Sequence, residues 1–429
     1  VSAGNGKRSI VVDEHSDAWL TPASITVLEG LPRQPIPVKI KVLHIITRFA
    51  GGSGGNTLLS AIGMDPERFE TWIVGGEGSE LWRRAEELGV RTVRAPRLRE
   101  RVAPVDDAIV LWQLFRLIRR ERFSVVHTHC AKAGFLGRLA AWVAGAPVIV
   151  HTFHAFATHP FMGRAKRVWF GALERAVRPL AHRYVAVSPL VAREAVEKQL
   201  AEPGTVEVVP SAVEMGEIPL VPDPTVRPQL GIPADTPIVG WVGRMVYQKA
   251  PLDFVRMAAL VRRTHPQVTF VMVGDASHES RPLEHATRRE AARLGVDVVF
   301  TGFRHDAPRI ASAFDVFVVS SRYEGLGRGL TEAMAAGRAV VATAVNGVPD
   351  LVVPGTTGLL ADAGSPASLA EGVRWLLDHP DEAARMGAGA RDRVRELFDQ
   401  RTMCVSLDRL YSRLLGVPPI EGRGVGHEA

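Results

Sequence analysis

Arg244 and Lys249 stand in GRMVYQKAPLDF, a loop between the apolar run PIVGWVG (237–243) and a helix opened by Pro251. Two fixed cations in such a loop can neutralise an anionic leaving group, lowering the cost of charge that develops in a transition state. A lone Arg or Lys is by default a solvated surface charge. Lys249 weighs against that default, because only seven of the 52 basic residues are lysines.

A second cluster is SRYEGLGRGLTEAMAAGRAVV (320–340), in which Glu324 and Glu332 bracket Gly325, Gly327 and Gly329. FDVFVVSS reads as a buried strand, the glycines as its C-terminal loop, and TEAMAA as a short helix stopped by Gly337. A separation of eight would turn the two carboxylates by about 80° on a helix of 3.6 residues per turn, so they do not share a face as an acid–base pair. They suit the two ends of one elongated ligand, each carboxylate accepting hydrogen bonds from a pair of hydroxyls. A sugar at one end and a ribose at the other, with a diphosphate over the glycine loop, would fit. A third cluster, RFAGGSGGN, carries Gly51, Gly52, Gly54 and Gly55 after the run KIKVLHIIT (39–47). It reads either as a loop whose bare amides close on a phosphate or as a flexible surface loop. It matches neither G-x-G-x-x-G nor a P-loop.

These loops need a scaffold that brings them together. From residue 39, β-branched runs alternate with amphipathic ones, the pattern of parallel strands joined by helices. Strands are predicted at 39–47, 70–76, 90–96, 125–130, 147–153, 183–188 and 206–211, with helices such as 106–120 and 164–177 between them. GEIPLVPDPTVRPQLGIPADTP (216–237) carries six prolines and reads as a linker. A second series follows at 237–243, 268–274, 298–302, 315–321 and 339–345, then helices at 365–379, 384–400 and 402–415. The fold class is α/β, with two open domains joined by a hinge. Such sheets bind ligands beyond the carboxyl ends of their strands, where Gly243 and Gly274 stand, and these two glycines are counted with the donor-binding residues.

With these residues in order, the sequence resembles the retaining glycosyltransferases of the GT-B fold, in glycosyltransferase family 4, the group 1 glycosyl transferases. The resemblance runs from residue 40 to about 400 and implies two Rossmann-like domains facing each other across a nucleotide-sugar cleft. It rests on the E-x7-E signature at Glu324 and Glu332 followed by AMAAG, and on the Gly-Arg…Lys loop ending at Lys249. It implies that Glu324 contacts the donor sugar and Glu332 the ribose hydroxyls. Arg244 and Lys249 would hold the diphosphate, Gly51 and Gly52 would approach it from the first domain, and the amides from Leu326 through Gly327 to Arg328 would complete the site. HTFH (151–154) matches the family's T-x-H loop and implies that His154 faces the donor sugar. His127, His129 and His151 read as buried core residues. Ala250 replaces the family's glycine after the lysine, and VPSAVE (209–214) replaces its Pro-Asn-Gly turn. The implied division is an N-terminal extension over 1–38, an acceptor domain over 39–215, a Pro-rich linker over 216–236 and a donor-binding domain over 237–400. A C-terminal helix and tail, 401–429, would pack back on the first domain.

Composition narrows the alternatives. The charge is +6, which only weakly favours anionic partners, and no basic stripe interleaved with aromatics points to nucleic acid. Cys130 and Cys404 are the only cysteines, so neither a disulfide scaffold nor a cysteine-rich metal site is expected, and a reducing, cytoplasmic setting fits. His127, His129 and Cys130 lack an evident fourth ligand, and no metal or other cofactor is expected beyond the nucleotide-sugar donor. The longest apolar run, 139–150, is too short to span a bilayer, and 1–38 lacks the pattern of a secretory signal and reads as a loose extension. The expected reaction is transfer of a hexosyl unit, with retention, from a nucleotide diphosphate sugar such as a UDP-sugar to an acceptor hydroxyl. Alternatives are a sugar-nucleotide epimerase on the same fold and a catalytically silent nucleotide-sugar-binding subunit. The acceptor is open: lipid-linked, polysaccharide or small molecule. The basic segments 91–101 and 116–122 read first as solvated faces and second as a peripheral contact with the inner face of an anionic membrane.

Overall fold

The computed structural model describes residues 39–78, 81–156, 163–276 and 280–419. The extension expected over 1–38 and the tail from 420 lie outside the described residues.

Two wholly parallel sheets form the scaffold. The first holds β1 (Ile40–Ile46), β2 (Phe69–Gly75), β3 (Arg91–Arg94), β4 (Val125–His129), β5 (Val148–Phe153), β6 (Arg183–Ala186) and β7 (Val206–Val208), in the order β3-β2-β1-β4-β5-β6-β7. The second holds β8 (Ile238–Val242), β9 (Thr269–Val273), β10 (Val298–Gly302), β11 (Val316–Val319), β12 (Ala339–Thr343) and β13 (Leu359–Ala361), in the order β10-β9-β8-β11-β12-β13. Parallel strands are covered on both faces by their crossover helices, so their sequences run apolar without alternation. In β4, β5, β11 and β12 every residue is buried.

The strand orders fix where a ligand can sit. The order reverses between β1 and β4 in the first sheet and between β8 and β11 in the second. At each reversal the flanking loops part in opposite directions and leave a crevice at the carboxyl edge. The glycine run follows β1, Cys130 follows β4, the Lys249 loop follows β8 and the Glu324 loop follows β11. Three of the segments singled out in the sequence, the glycine run, the Lys249 loop and the Glu324 loop, therefore flank a switch point, while HTFH ends on the neighbouring β5.

The chain crosses between the sheets twice. The outgoing segment carries Ile218, Val226 and Ile232, all buried in one cluster with Ile310 and Phe314 of the second lobe. Arg309 bonds Asp223 and Asp306 there, so this proline-rich stretch is docked along its length. The returning segment passes beside the outgoing one, where the Val213 amide donates to the Phe398 carbonyl at 2.9 Å. The chain then continues into the Gln400–Leu415 helix, whose Met403, Leu407, Leu410 and Tyr411 pack with Val42, Leu59, Phe69 and Val125 of the first lobe.

Candidate functional site

On the second lobe, the loops after β8 and β11 are clamped together. Ser320 Oγ donates to the Lys249 carbonyl at 2.9 Å. Arg322 forks onto the carboxylate of Asp253 at 2.9 to 3.2 Å and donates to the Tyr247 hydroxyl at 2.7 Å. Asp253 is only 2% exposed, so Arg322 is what makes a charge tolerable there. The clamp delivers Lys249 Nζ to the carboxylate of Glu324, which also accepts from Ser321 Oγ at 2.7 Å. The Glu324 amide donates to Asn346 Oδ1 at 3.3 Å.

Gly327, at φ 88°, turns the chain into the Arg328–Ala335 helix, and no side chain caps the helix N-terminus. One turn in, Arg328 Nε bonds Glu332 at 2.6 Å. Leu326 is buried beneath the loop. Gly243 and Gly274 lie at the ends of β8 and β9, where a Cβ on Gly274 would sit 1.9 Å from the Gly243 carbonyl oxygen. That approach requires glycine.

The first lobe corrects one expectation. Gly51, Gly52, Gly54 and Gly55 are not a loop but the opening turns of the Gly51–Ile62 helix. Glycine is a poor helix former, so the reason is tertiary packing. A Cβ on Gly54 would stand 2.9 Å from the Phe49 backbone, and one on Gly55 would stand 1.2 Å from an Arg328 guanidinium nitrogen. Bare backbone here lets Arg328 of the second lobe lie flat on a helix of the first. The helix start has no side-chain cap, and Gly52 comes close to the Arg328 Cβ. Asn56 in the same helix accepts from the Ala212 amide at 3.1 Å, holding the VPSAVE turn. Arg244 is exposed, and its charge reaches Cys130 across the cleft, although burial pushes that thiol up to about 11.

His154, after β5, is half-buried, and Gly325 abuts its carbonyl so closely that a Cβ would come within 1.9 Å. Behind it lies a group of imidazoles. His129 Nδ1 is 3.1 Å from His154 Nε2, and His44 Nδ1 is 3.0 Å from His129 Nε2. His127 bonds Tyr411 and Thr152, both at 2.6 Å, and His151 meets Thr128 at 2.9 Å. His127, His129 and His151 are buried core residues, as the sequence suggested. Burial lowers His44 to about 3, His154 to about 4 and the other three well below the ordinary histidine value. One nitrogen from each of His44, His127 and His129 lies within 4.8 Å of the others, the spacing of a metal site. Five of the six ring nitrogens are already hydrogen-bonded, and the His127 and His129 rings stack at 4.5 Å, which aims their lone pairs side by side rather than at one point.

Comparison with known proteins is decisive for family. The model of the glycosyl transferases group 1 matches residues 222–393, and that of the glycosyl transferase 4-like domain matches 51–212. The 2-deoxystreptamine glucosyltransferase of Streptomyces kanamyceticus is 31% identical over 373 residues, covering 81% of this chain and 95% of that protein. The chain belongs to the group 1 glycosyltransferases. The UDP-Gal:alpha-D-GlcNAc-diphosphoundecaprenol alpha-1,3-galactosyltransferase of Escherichia coli is another relative of this glycosyltransferase, 27% identical over 76% of this chain and 84% of that protein. Among solved structures, Anabaena HepE in complex with UDP and glucose superposes with a TM-score of 0.74 at 21% identity, covering 87% of this chain and all of that one. Sucrose-phosphate synthase from Thermosynechococcus elongatus gives 0.73 at 22% identity, covering 88% and 99%. The fold of this glycosyltransferase is therefore GT-B, two Rossmann-like domains.

Sequence reasoning missed the parts that hold the site rather than form it. Arg322, Asp253 and Asn346 carry no motif; an Arg and an Asp 69 residues apart have no readable relation until β8 and β11 are neighbours. His44 was likewise hidden, lying 85 residues from its partner His129.

Proposed function

We propose that this glycosyltransferase moves a hexosyl unit from a UDP-sugar to an acceptor hydroxyl with retention at the anomeric carbon. The observation that carries the reading is the meeting of two helix N-termini without side-chain caps, Gly51–Ile62 and Arg328–Ala335, beside Lys249. The first N–H groups of a helix have no internal partner and carry partial positive charge, so two facing ends form a seat for a diphosphate. Lys249 and Arg244 supply full charge as the bond to the leaving group breaks. Glu324 holds sugar hydroxyls, Glu332 the ribose, and His154 meets the sugar from the other lobe. Attack from the face that the diphosphate vacates, with a phosphate oxygen taking the acceptor's proton, gives retention without a protein nucleophile or a metal. HepE is described in complex with UDP and glucose, which supports the choice of donor. The test is incubation with UDP-glucose, UDP-galactose and UDP-N-acetylglucosamine, followed by NMR of any glycoside formed. An α-linked product from an α-linked donor supports the reading, and an inverted product refutes it.

The acceptor reading is a lipid-linked one at a membrane surface. The basic segments alone do not carry it, because Arg91, Arg94, Arg97 and Arg120 are each paired with a carboxylate. Aromatic exposure does: Trp112 and Trp142, on the packed helices Pro104–Glu121 and Ala131–Ala144, are 55% and 60% exposed, and Arg116 lies 4.7 Å over the Trp112 ring. Exposed Trp beside Arg suits an anionic interface. Sedimentation with phosphatidylglycerol vesicles, lost in Trp112→Ser/Trp142→Ser, would support it, and absence of binding at low salt would sink it. Among the described residues no helix is long and apolar enough to cross a membrane.

A further inference from the structure

The His44–His129–His154 chain carries information that the donor-site reading does not use. A neutral imidazole has one N–H and one lone pair, and each ring-to-ring contact needs one of each. In a run of three neutral rings the protons must therefore all point the same way. Suppose His129 Nε2 carries the proton and donates to His44 Nδ1. Then His154 Nε2 donates to His129 Nδ1, and His44 must carry its own proton on Nε2. That atom is buried and has no hydrogen-bond partner among the described residues. In the opposite direction His44 Nδ1 donates to His129 Nε2, His129 Nδ1 donates to His154 Nε2, and His44 Nε2 is a bare lone pair. Buried N–H groups without an acceptor are rarer in proteins than under-used acceptors, which selects this second direction. Its far end is His154 with the proton on Nδ1, a nitrogen that makes no bond among the described residues.

We propose that His44 and His129 are positioning residues that fix His154 as the Nδ1–H tautomer, so that its ring offers a hydrogen-bond donor to an oxygen of the transferring sugar. Free imidazole favours the other tautomer, and the partner on one ring nitrogen sets which form is present. The inference rests on the placement of His154 at the donor sugar, and it deepens that reading in two ways. A ring whose ligand-facing nitrogen carries the proton cannot serve as a general base, so the acceptor's proton leaves by another route. The same ring selects donors whose sugar presents a hydroxyl or other acceptor oxygen at that point. The low proton affinity of all three rings keeps them neutral near pH 7, as the relay requires.

The deciding measurement is a long-range 1H–15N correlation spectrum of the full chain labelled at its 14 histidines, recorded at pH 7. At least three rings are expected as Nδ1–H, among them the one that disappears in His154→Phe. Fewer than three, or a His154 signal of the Nε2–H type, overturns the relay. A second measurement uses His129→Leu, which removes the donor to His154. UDP affinity by calorimetry should stay within about twofold of the parent, whereas UDP release from whichever of UDP-glucose, UDP-galactose or UDP-N-acetylglucosamine the parent uses should fall at least about tenfold. Unchanged release would overturn the proposal. Should UDP fail to bind the parent protein, the donor-site reading fails, while the wild-type spectrum still decides the tautomer chain.

Discussion

The two walls of the cleft are built on one plan and charged in opposite styles. Each loop comes from the carboxyl edge of a parallel sheet beside a strand-order reversal. On the second lobe the polar groups are ions held by other ions: Lys249 with Glu324, Arg328 with Glu332, Arg322 with Asp253. On the first lobe they are neutral imidazoles held by one another and by Thr152 and Tyr411. Equivalent architecture therefore does not imply equivalent chemistry; the side chains at the strand ends decide it.

The contrast can be broken most forcefully by acid. The five clustered histidines His44, His127, His129, His151 and His154 have an ordinary value near 6.5 when unfolded, and in the fold His154 is lowered to about 4 and His44 to about 3. Below about pH 6.5 the unfolded chain binds protons that the folded chain refuses, so stability falls as pH falls, by roughly 1.4 kcal/mol per pH unit for each histidine kept neutral. Urea denaturation at pH 7 and pH 5 should show a loss of several kcal/mol, down to the folded-state values. A flat profile would mean that these rings are not held dry.

Lys249→Ala tests the ionic wall. If its charge acts on the leaving group, as proposed, the substitution should lower turnover about 100-fold, with UDP affinity changed much less. Near-normal turnover with a working donor and acceptor would place Lys249 among the structural ions. Glu332→Ala comes next, with UDP bound about tenfold more weakly by calorimetry, the scale of losing hydrogen bonds to a charged group. An unchanged dissociation constant would remove the ribose from that residue.

The smallest effect is at Ala250, which holds φ 46° and ψ 57° just before the Pro251–Arg262 helix. Glycine would relieve about 1–2 kcal/mol of left-handed strain. It would also lose about 0.8 kcal/mol of methyl burial and regain unfolded-state freedom worth roughly 0.5–1 kcal/mol. Ala250→Gly should therefore shift the unfolding free energy by less than about 1 kcal/mol. A larger gain would show that the loop carries strain for a purpose.

How far the sequence speaks follows the same division. Among the described residues, twelve of the 13 strands were readable, because buried parallel strands are β-branched runs bounded by turn residues. β13, the three residues Leu359–Ala361, carries no such signal and was missed. The ionic wall was legible since Glu324, Glu332 and Lys249 sit in short motifs. The glycine helix was misread because propensity favours a loop, and the bare backbone is explained by tertiary neighbours, Phe49 at Gly54 and, more than 270 positions away, the guanidinium of Arg328 at Gly55. The histidine chain was invisible for a similar reason: its members come from β1, β4 and the end of β5, and only strand order makes them neighbours.

The paired crossing at Val213 and Phe398 sets what kind of motion the cleft can have. Two covalent tethers lying side by side behave like the spine of a book. They leave one easy axis of rotation and resist sliding or twisting of one half over the other. Because the second tether runs straight into a helix anchored among β1, β2 and β4, any swing of the lobes pivots at this spine, and the largest displacement falls at the far lip.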